Sequence, residues 1–110
     1  MSAAKSRASV STRGPVLIIG TGLLGTSLAL ALRTADVEVQ LSDTSPTSLA
    51  LARDMGAGTP HDKHSPEPQI VVVATPPDVT ADVVVAQLSA HPNAVVTDVA
   101  SVKERVVAEV

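Results

Sequence analysis

The chain has 110 residues, no cysteine and no Phe, Tyr or Trp, so one core must be built from Val, Ile, Leu and Ala, without disulfides or thiolate chemistry. Residues 15–110 set five bases against eleven acids, a net charge of −6 with no basic stripe, which argues against nucleic acid as a partner. No apolar stretch approaches the roughly 20 residues of a membrane span, so no membrane partner is expected; a reducing cytoplasm is the expected location.

Residues 1–14, MSAAKSRASVSTRG, are basic and lack the apolar segment of a secretory signal. They are read as a disordered tail ahead of a domain over 15–110. Val16–Ile19 is a continuous apolar run ended by Gly20, the pattern of a buried strand. Leu24, Leu28, Ala31, Leu32 and Ala35 then recur at helical spacing. Val37, Val39 and Leu41 alternate with Glu38, Gln40 and Ser42, which predicts a second strand exposed on one face and ending at Asp43.

Ser45-Pro46 starts a helix, an N-cap hydroxyl followed by proline at the first helical position. That helix carries Leu49, Ala52, Arg53 and Met55 and stops at Gly56 or Gly58. Residues 59–69, TPHDKHSPEPQ, read as a surface loop, with a short third strand just before it. Ile70–Ala74 is a second fully buried strand. Thr75-Pro76-Pro77-Asp78 turns into a helix over about 78–89, with Val79, Val83, Ala86 and Leu88 available for packing. Ala94–Asp98 is the next strand, and Ser101-Val102-Lys103-Glu104 opens a final helix.

Alternating strands and helices of this kind predict an α/β fold, a doubly wound parallel (Rossmann) sheet in a single domain, with strand order 3-2-1-4-5. Ligands of such sheets sit at the carboxyl ends of the strands, beside the point where the order reverses. Gly20–Gly25 and Ala74–Pro77 both fall there. In GTGLLG, Gly20 permits the sharp turn, Gly22 lets a pyrophosphate approach the backbone, and Gly25 lets helix and strand pack closely. Thr21 sits between the first two glycines, and the N–H groups of Leu23 and Leu24 point at the phosphates. Asp43 closes the second strand 18 residues after Gly25, placed to accept hydrogen bonds from an adenosine ribose. The plainer readings are a tight turn with no ligand, and an N-cap role for Asp43, for which Ser45 is better placed. A carboxylate there repels a 2′-phosphate, and Thr44-Ser45-Pro46 offers no arginine to hold one. The expected cofactor is NAD.

GTGLLGTSLALAL, LSDTSP, IVVVATPP and VVTDVASVK together resemble the nucleotide-binding half of bacterial prephenate dehydrogenases, a family that includes arogenate dehydrogenases. The resemblance spans 15–110. Its most specific element is T-D-V-x-S-V-K, here Thr97 to Lys103. It implies NAD-dependent oxidation of the ring carbinol of a small dicarboxylate, prephenate, with loss of carbon dioxide to give 4-hydroxyphenylpyruvate, on the route to tyrosine. By the same resemblance Ser101 lies near the substrate hydroxyl and is the catalytic candidate, while Thr75 and Pro76 lie beside the nicotinamide ribose. Ser101 with Glu104 also forms a capping box, which accounts for both side chains without catalysis.

The family's catalytic histidine, in a Gly-x-His-Pro segment, and its helical substrate and homodimer domain have no counterpart in these 110 residues. The chain is therefore expected to be a fragment, inactive alone. His91-Pro92 precedes the last strand and falls at the amino edge of the sheet. His61 and His64 sit on a Pro-rich loop without a third ligand, so no metal is expected. Two alternatives stay open: a stand-alone NAD-binding regulatory module, and the cofactor domain of another hydroxyacid or imino-acid dehydrogenase.

Overall fold

Four of the five strands are short apolar or alternating runs, and each lies parallel to its neighbour. A computed structural model describes residues 14–99; the greater part of the predicted tail, and the final helix with Ser101, lie outside them. The elements are β1 (Val16–Ile19), α1 (Leu23–Thr34), β2 (Val39–Ser42), α2 (Pro46–Asp54), β3 (Thr59–Pro60), β4 (Ile70–Val73), α3 (Pro77–Ala90) and β5 (Val95–Asp98). The sheet order is β3-β2-β1-β4-β5, the predicted one. In register, Ile19 lies beside Ser42 on one side and Val73 on the other, and Val73 lies beside Asp98. The strands therefore end together, and the residues that follow them meet at one edge.

Strand alternation divides the core between two faces. Val16, Ile18, Val39, Leu41 and Val72 pack with Ala29 of α1, Ala52 of α2 and Ala57. Leu17, Val71 and Val73, also buried, belong to the opposite face. Fully burying such side chains contributes about 1.5–3 kcal/mol each. The small helix residues let helix backbones lie close to the sheet. Among the described residues no helix is long and apolar enough to cross a membrane.

Three expectations need correction. The second face of β2 is covered: Gln40 is only 1% exposed. The β3–β4 crossover passes over it, with Gln40 Nε2 donating to Pro66 O at 2.8 Å and Oε1 accepting from His61 Nδ1 at 2.9 Å. His61 is thus a partly buried pin of the crossover, and its ring stands edge-on to His91, 5.8 Å between centroids.

The third strand lies inside the predicted loop, at Thr59–Pro60, because Gly58 (φ 158°) brings the chain within reach of β2. A Cβ at Gly58 would stand 2.6 Å from Val39 O, so only glycine allows the approach.

The third correction concerns the packing face of α3. Val79, Ala86 and Leu88 are exposed, and the less exposed positions are Thr80, Val83, Val84 and Gln87. Val85, at 64% exposed, completes an apolar run that surrounds the helix, so hydrophobicity alone does not mark its inner face.

Replacing Gln40 with Ala strips Pro66 O and His61 Nδ1 of their buried partner. The expected cost is about 1–3 kcal/mol in urea denaturation, against less than about 0.5 kcal/mol for the exposed Glu38→Ala. Equal, small effects from both substitutions would show that the crossover is not pinned through Gln40.

Candidate functional site

Between β1 and α1 the chain turns in the space left by two neighbouring strands. Gly20 N–H donates to Ser42 O and Ala74 N–H to Ile19 O, both at 2.7 Å, so the turn is held from both sides. Gly20 adopts φ 104°, and a Cβ on it would stand 2.6 Å from Ala74 O. A Cβ on Gly25 would overlap Gly20 O and lie 3.2 Å from Ala74 Cβ. Gly22 differs: nothing lies within 4 Å of where its Cβ would be. Two glycines are thus required by backbone packing, and the third leaves open space. Gly22 is also the N-cap of α1, which has no side-chain cap and no acid in its first turn. The N–H groups at that end have no intrahelical acceptor and suit an anion.

Asp43 follows β2 at the same edge. Its Oδ2 accepts from both Thr21 N–H and Thr21 Oγ1, each at 2.6 Å, and its Oδ1 accepts from Ser45 N–H at 2.8 Å. Partial burial raises the pKa of this carboxyl, but the Thr21 hydroxyl and the N–H groups of Ser45, Thr21 and Thr44 together outweigh it. The net result is a pKa below the ordinary value. The cap of α2 is Ser45, whose Oγ accepts from Ser48 N–H at 3.2 Å. Asp43 is therefore not a helix cap; it ties the glycine turn to the end of β2.

An open cleft of about 900 Å³ lies in front of the turn. It is lined by Ile19, Gly20, Gly22, Leu23 and Leu24 from the β1–α1 turn, by Asp43, Thr44 and Ser48 from the end of β2 and start of α2, and by Thr75, Pro76, Val79 and Val83 from the β4–α3 turn and α3. Of the residues singled out in the sequence, Gly20, Gly22, Leu23, Leu24, Asp43, Thr75 and Pro76 meet there. Thr21 and Gly25 stand behind it, both buried.

Thr80 fixes the Thr75 turn, its Oγ1 lying 3.1 Å from Thr75 Oγ1 and donating to Pro76 O at 3.0 Å. Ser48, Val79 and Val83 were missed by sequence reasoning. Counting from the Ser45 cap would have placed Ser48 in the first turn of α2, on the cleft side. His91 lies at the opposite, amino edge as predicted, with its Nδ1 2.7 Å from Glu67 Oε1. Among the described residues no group of three His, Asp or Glu side chains could hold a metal ion.

Because its pKa is lower folded than unfolded, Asp43 adds stability that is complete above the ordinary carboxylate pKa and lost as pH falls through the folded value. Melting temperature followed from about pH 6 to pH 2.5 should fall less steeply below about pH 4 for Asp43→Asn than for the parent. Coincident slopes would show that the Thr21 and Ser45 bonds do not favour the ionised form.

The chain matches the family model described as prephenate dehydrogenase, nucleotide-binding domain, over residues 28–110. That match begins after Gly25, so it is independent of the glycine turn. A curated relative, "Probable prephenate dehydrogenase NovF" of Streptomyces niveus, is 44% identical over 88 residues, 79% of this chain and 24% of that protein. The crystal structure of prephenate dehydrogenase from A. aeolicus, in complex with hydroxyphenyl propionate and NAD+, superposes with a TM-score of 0.65 at 27% identity, over 76% of this chain and 32% of that one. The chain thus spans about a quarter of the curated relative's length and a third of the solved one's. On the strength of the model match and the 44% identity, the chain belongs to the prephenate dehydrogenase family, as its nucleotide-binding domain.

Proposed function

We propose that the cleft binds NAD, and that the chain serves as the cofactor-binding part of a prephenate or arogenate dehydrogenase. The observation that carries this reading is the α1 N-terminus, which has no side-chain cap and opens past Gly22 into the cleft that Asp43 lines. A pyrophosphate needs N–H donors and an unobstructed backbone approach, which Gly22, Leu23 and Leu24 offer. The adenosine ribose needs an acceptor at the end of β2, where Asp43 stands. The residues present fit the cofactor. Calorimetry on the chain should show NAD binding more tightly than NADP, and Asp43→Ser should narrow the gap by removing the repulsion of a 2′-phosphate. Tighter NADP binding by the parent chain would overturn the role given to Asp43.

Bound in the cleft, NAD would supply the acceptor for the hydride of a ring carbinol carbon, in a reaction that releases the ring carboxylate as carbon dioxide. In this reading Thr75 and Pro76 flank the nicotinamide ribose, and the Ser101 hydroxyl hydrogen-bonds the substrate hydroxyl. A dicarboxylate substrate and a homodimer, both from the family resemblance, and a cytoplasmic location, from the cysteine-free composition, complete the proposal. The test is Ser101→Ala in the whole enzyme, with Glu104→Ala as a cap-only control. Loss of a substrate contact that strengthens in the transition state should lower kcat about 30- to 150-fold, whereas loss of a cap alone costs about 1 kcal/mol of stability. If both variants lose similar stability and neither loses more than a few-fold in kcat, Ser101 is only a cap.

A further inference from the structure

Thr21 is 6% exposed and does not line the cleft, yet both its N–H and its hydroxyl donate to the Asp43 carboxylate. Its own backbone is fixed in turn, because Thr26 Oγ1 donates to Thr21 O at 3.0 Å. The backbone and side-chain donors of Thr21 converge on the same oxygen, Oδ2, and fill its two acceptor directions. Oδ1 takes no bond from Thr21 and accepts from Ser45 N–H at 2.8 Å. The carboxylate is therefore tied through one oxygen to the glycine turn and through the other to the start of α2, on a residue that lines the cleft.

We propose that Thr21 is a specificity-determining positioning residue: through its buried hydroxyl it holds the Asp43 carboxylate so that Oδ1 receives the 2′-hydroxyl of an adenosine ribose and a 2′-phosphate is turned away. This inference rests on the NAD reading above and deepens it. A hydrogen bond depends steeply on donor and acceptor placement, whereas charge repulsion varies slowly over an ångström. Displacing the carboxylate therefore weakens NAD more than it weakens NADP. Thr21→Val gives that displacement with little change of shape. Its methyl would stand where Oγ1 now lies, 2.6 Å from Oδ2, inside the about 3.3 Å at which carbon and oxygen meet. The carboxylate must give way. Thr21→Ser keeps the hydroxyl and should keep the placement.

The experiment is titration of the parent chain, Thr21→Val and Thr21→Ser with NAD and with NADP. Melting temperatures confirm that each is folded, and NMR of the Asp43 carboxyl carbon follows pH. The NAD-to-NADP affinity ratio should fall about fivefold or more in Thr21→Val, through weaker NAD binding, and stay within about twofold of the parent in Thr21→Ser. The Asp43 titration should move up toward the ordinary carboxylate range in the valine variant only. A ratio unchanged in Thr21→Val, with both nucleotides weakened alike, would reduce Thr21 to a structural role and overturn the inference while leaving the NAD reading intact. An equal loss of the ratio in Thr21→Ser would also overturn it, because the hydroxyl would not be what matters. A parent chain that binds neither nucleotide would overturn the NAD reading itself, and this inference with it.

Discussion

There is no room for a Cβ at Gly20 or Gly25, and much of the molecule's layout follows from that. β1 is the central strand, bonded to β2 on one side and β4 on the other. Gly20 is still tied to both neighbours through Ser42 O and, one residue back, Ala74 N–H. The chain can leave the sheet here only by turning sharply with φ 104°, pressed against the Ala74 carbonyl. Gly25 then lies over Gly20 O, and Ala29 one turn later is fully buried. Close seating of α1 places its N-terminus at the carboxyl edge, at the point from which the strands run outward in both directions. The cleft is where it is because helix and strand touch at these glycines.

The chemistry of the cleft is lopsided. Among the described residues its lining contains the carboxylate of Asp43 and no lysine, arginine or histidine. An anionic ligand in such a site depends on uncharged donors, here the peptide N–H groups of the α1 terminus, and on apolar walls supplied by Leu23, Leu24, Val79 and Val83. The Asp43 charge is held in place by Thr21 and Ser45. An unrestrained carboxylate could swing toward the phosphates it should avoid; a restrained one stays at the end of β2.

The parts of the fold read correctly from sequence are those set by neighbours along the chain. The apolar runs of β1 and β4, the Ser45-Pro46 start of α2 and the spacing of Gly20, Gly22 and Gly25 all carry local signatures, and the sheet order follows from their succession. The misreadings have distant causes. Gln40 looks like a solvent-facing strand residue because what covers it, Pro66 and His61, lies 26 and 21 residues away. The role of Thr21 depends on a partner 22 residues on. The inner face of α3 is hidden by the run Val83-Val84-Val85, whose hydrophobicity has no direction.

Among the described helices, the site also shows how one of three similar positions becomes fit for an anion. In a parallel sheet with helical crossovers every helix begins near the carboxyl edge, so α1, α2 and α3 all bring a positive N-terminus there. At α2 the first helical residue is Pro46, which has no N–H, and the Ser48 N–H is taken by Ser45 Oγ. At α3 the N-cap and first residue are Pro76 and Pro77, Val79 N–H turns back to Pro76 O at 3.1 Å, and Asp78 places a negative charge in the first turn. Each of these helices has fewer free first-turn donors to offer an anion than α1 has. α1 begins with Gly22, Leu23 and Leu24, has neither proline nor acid in its first turn, and receives no side-chain cap. Its exposed leucines would be a poor choice for a solvent-facing helix start: Leu23 is 84% exposed. Beside a cleft they are consistent, because they leave the backbone N–H groups uncontested while offering apolar surface to whatever those groups hold.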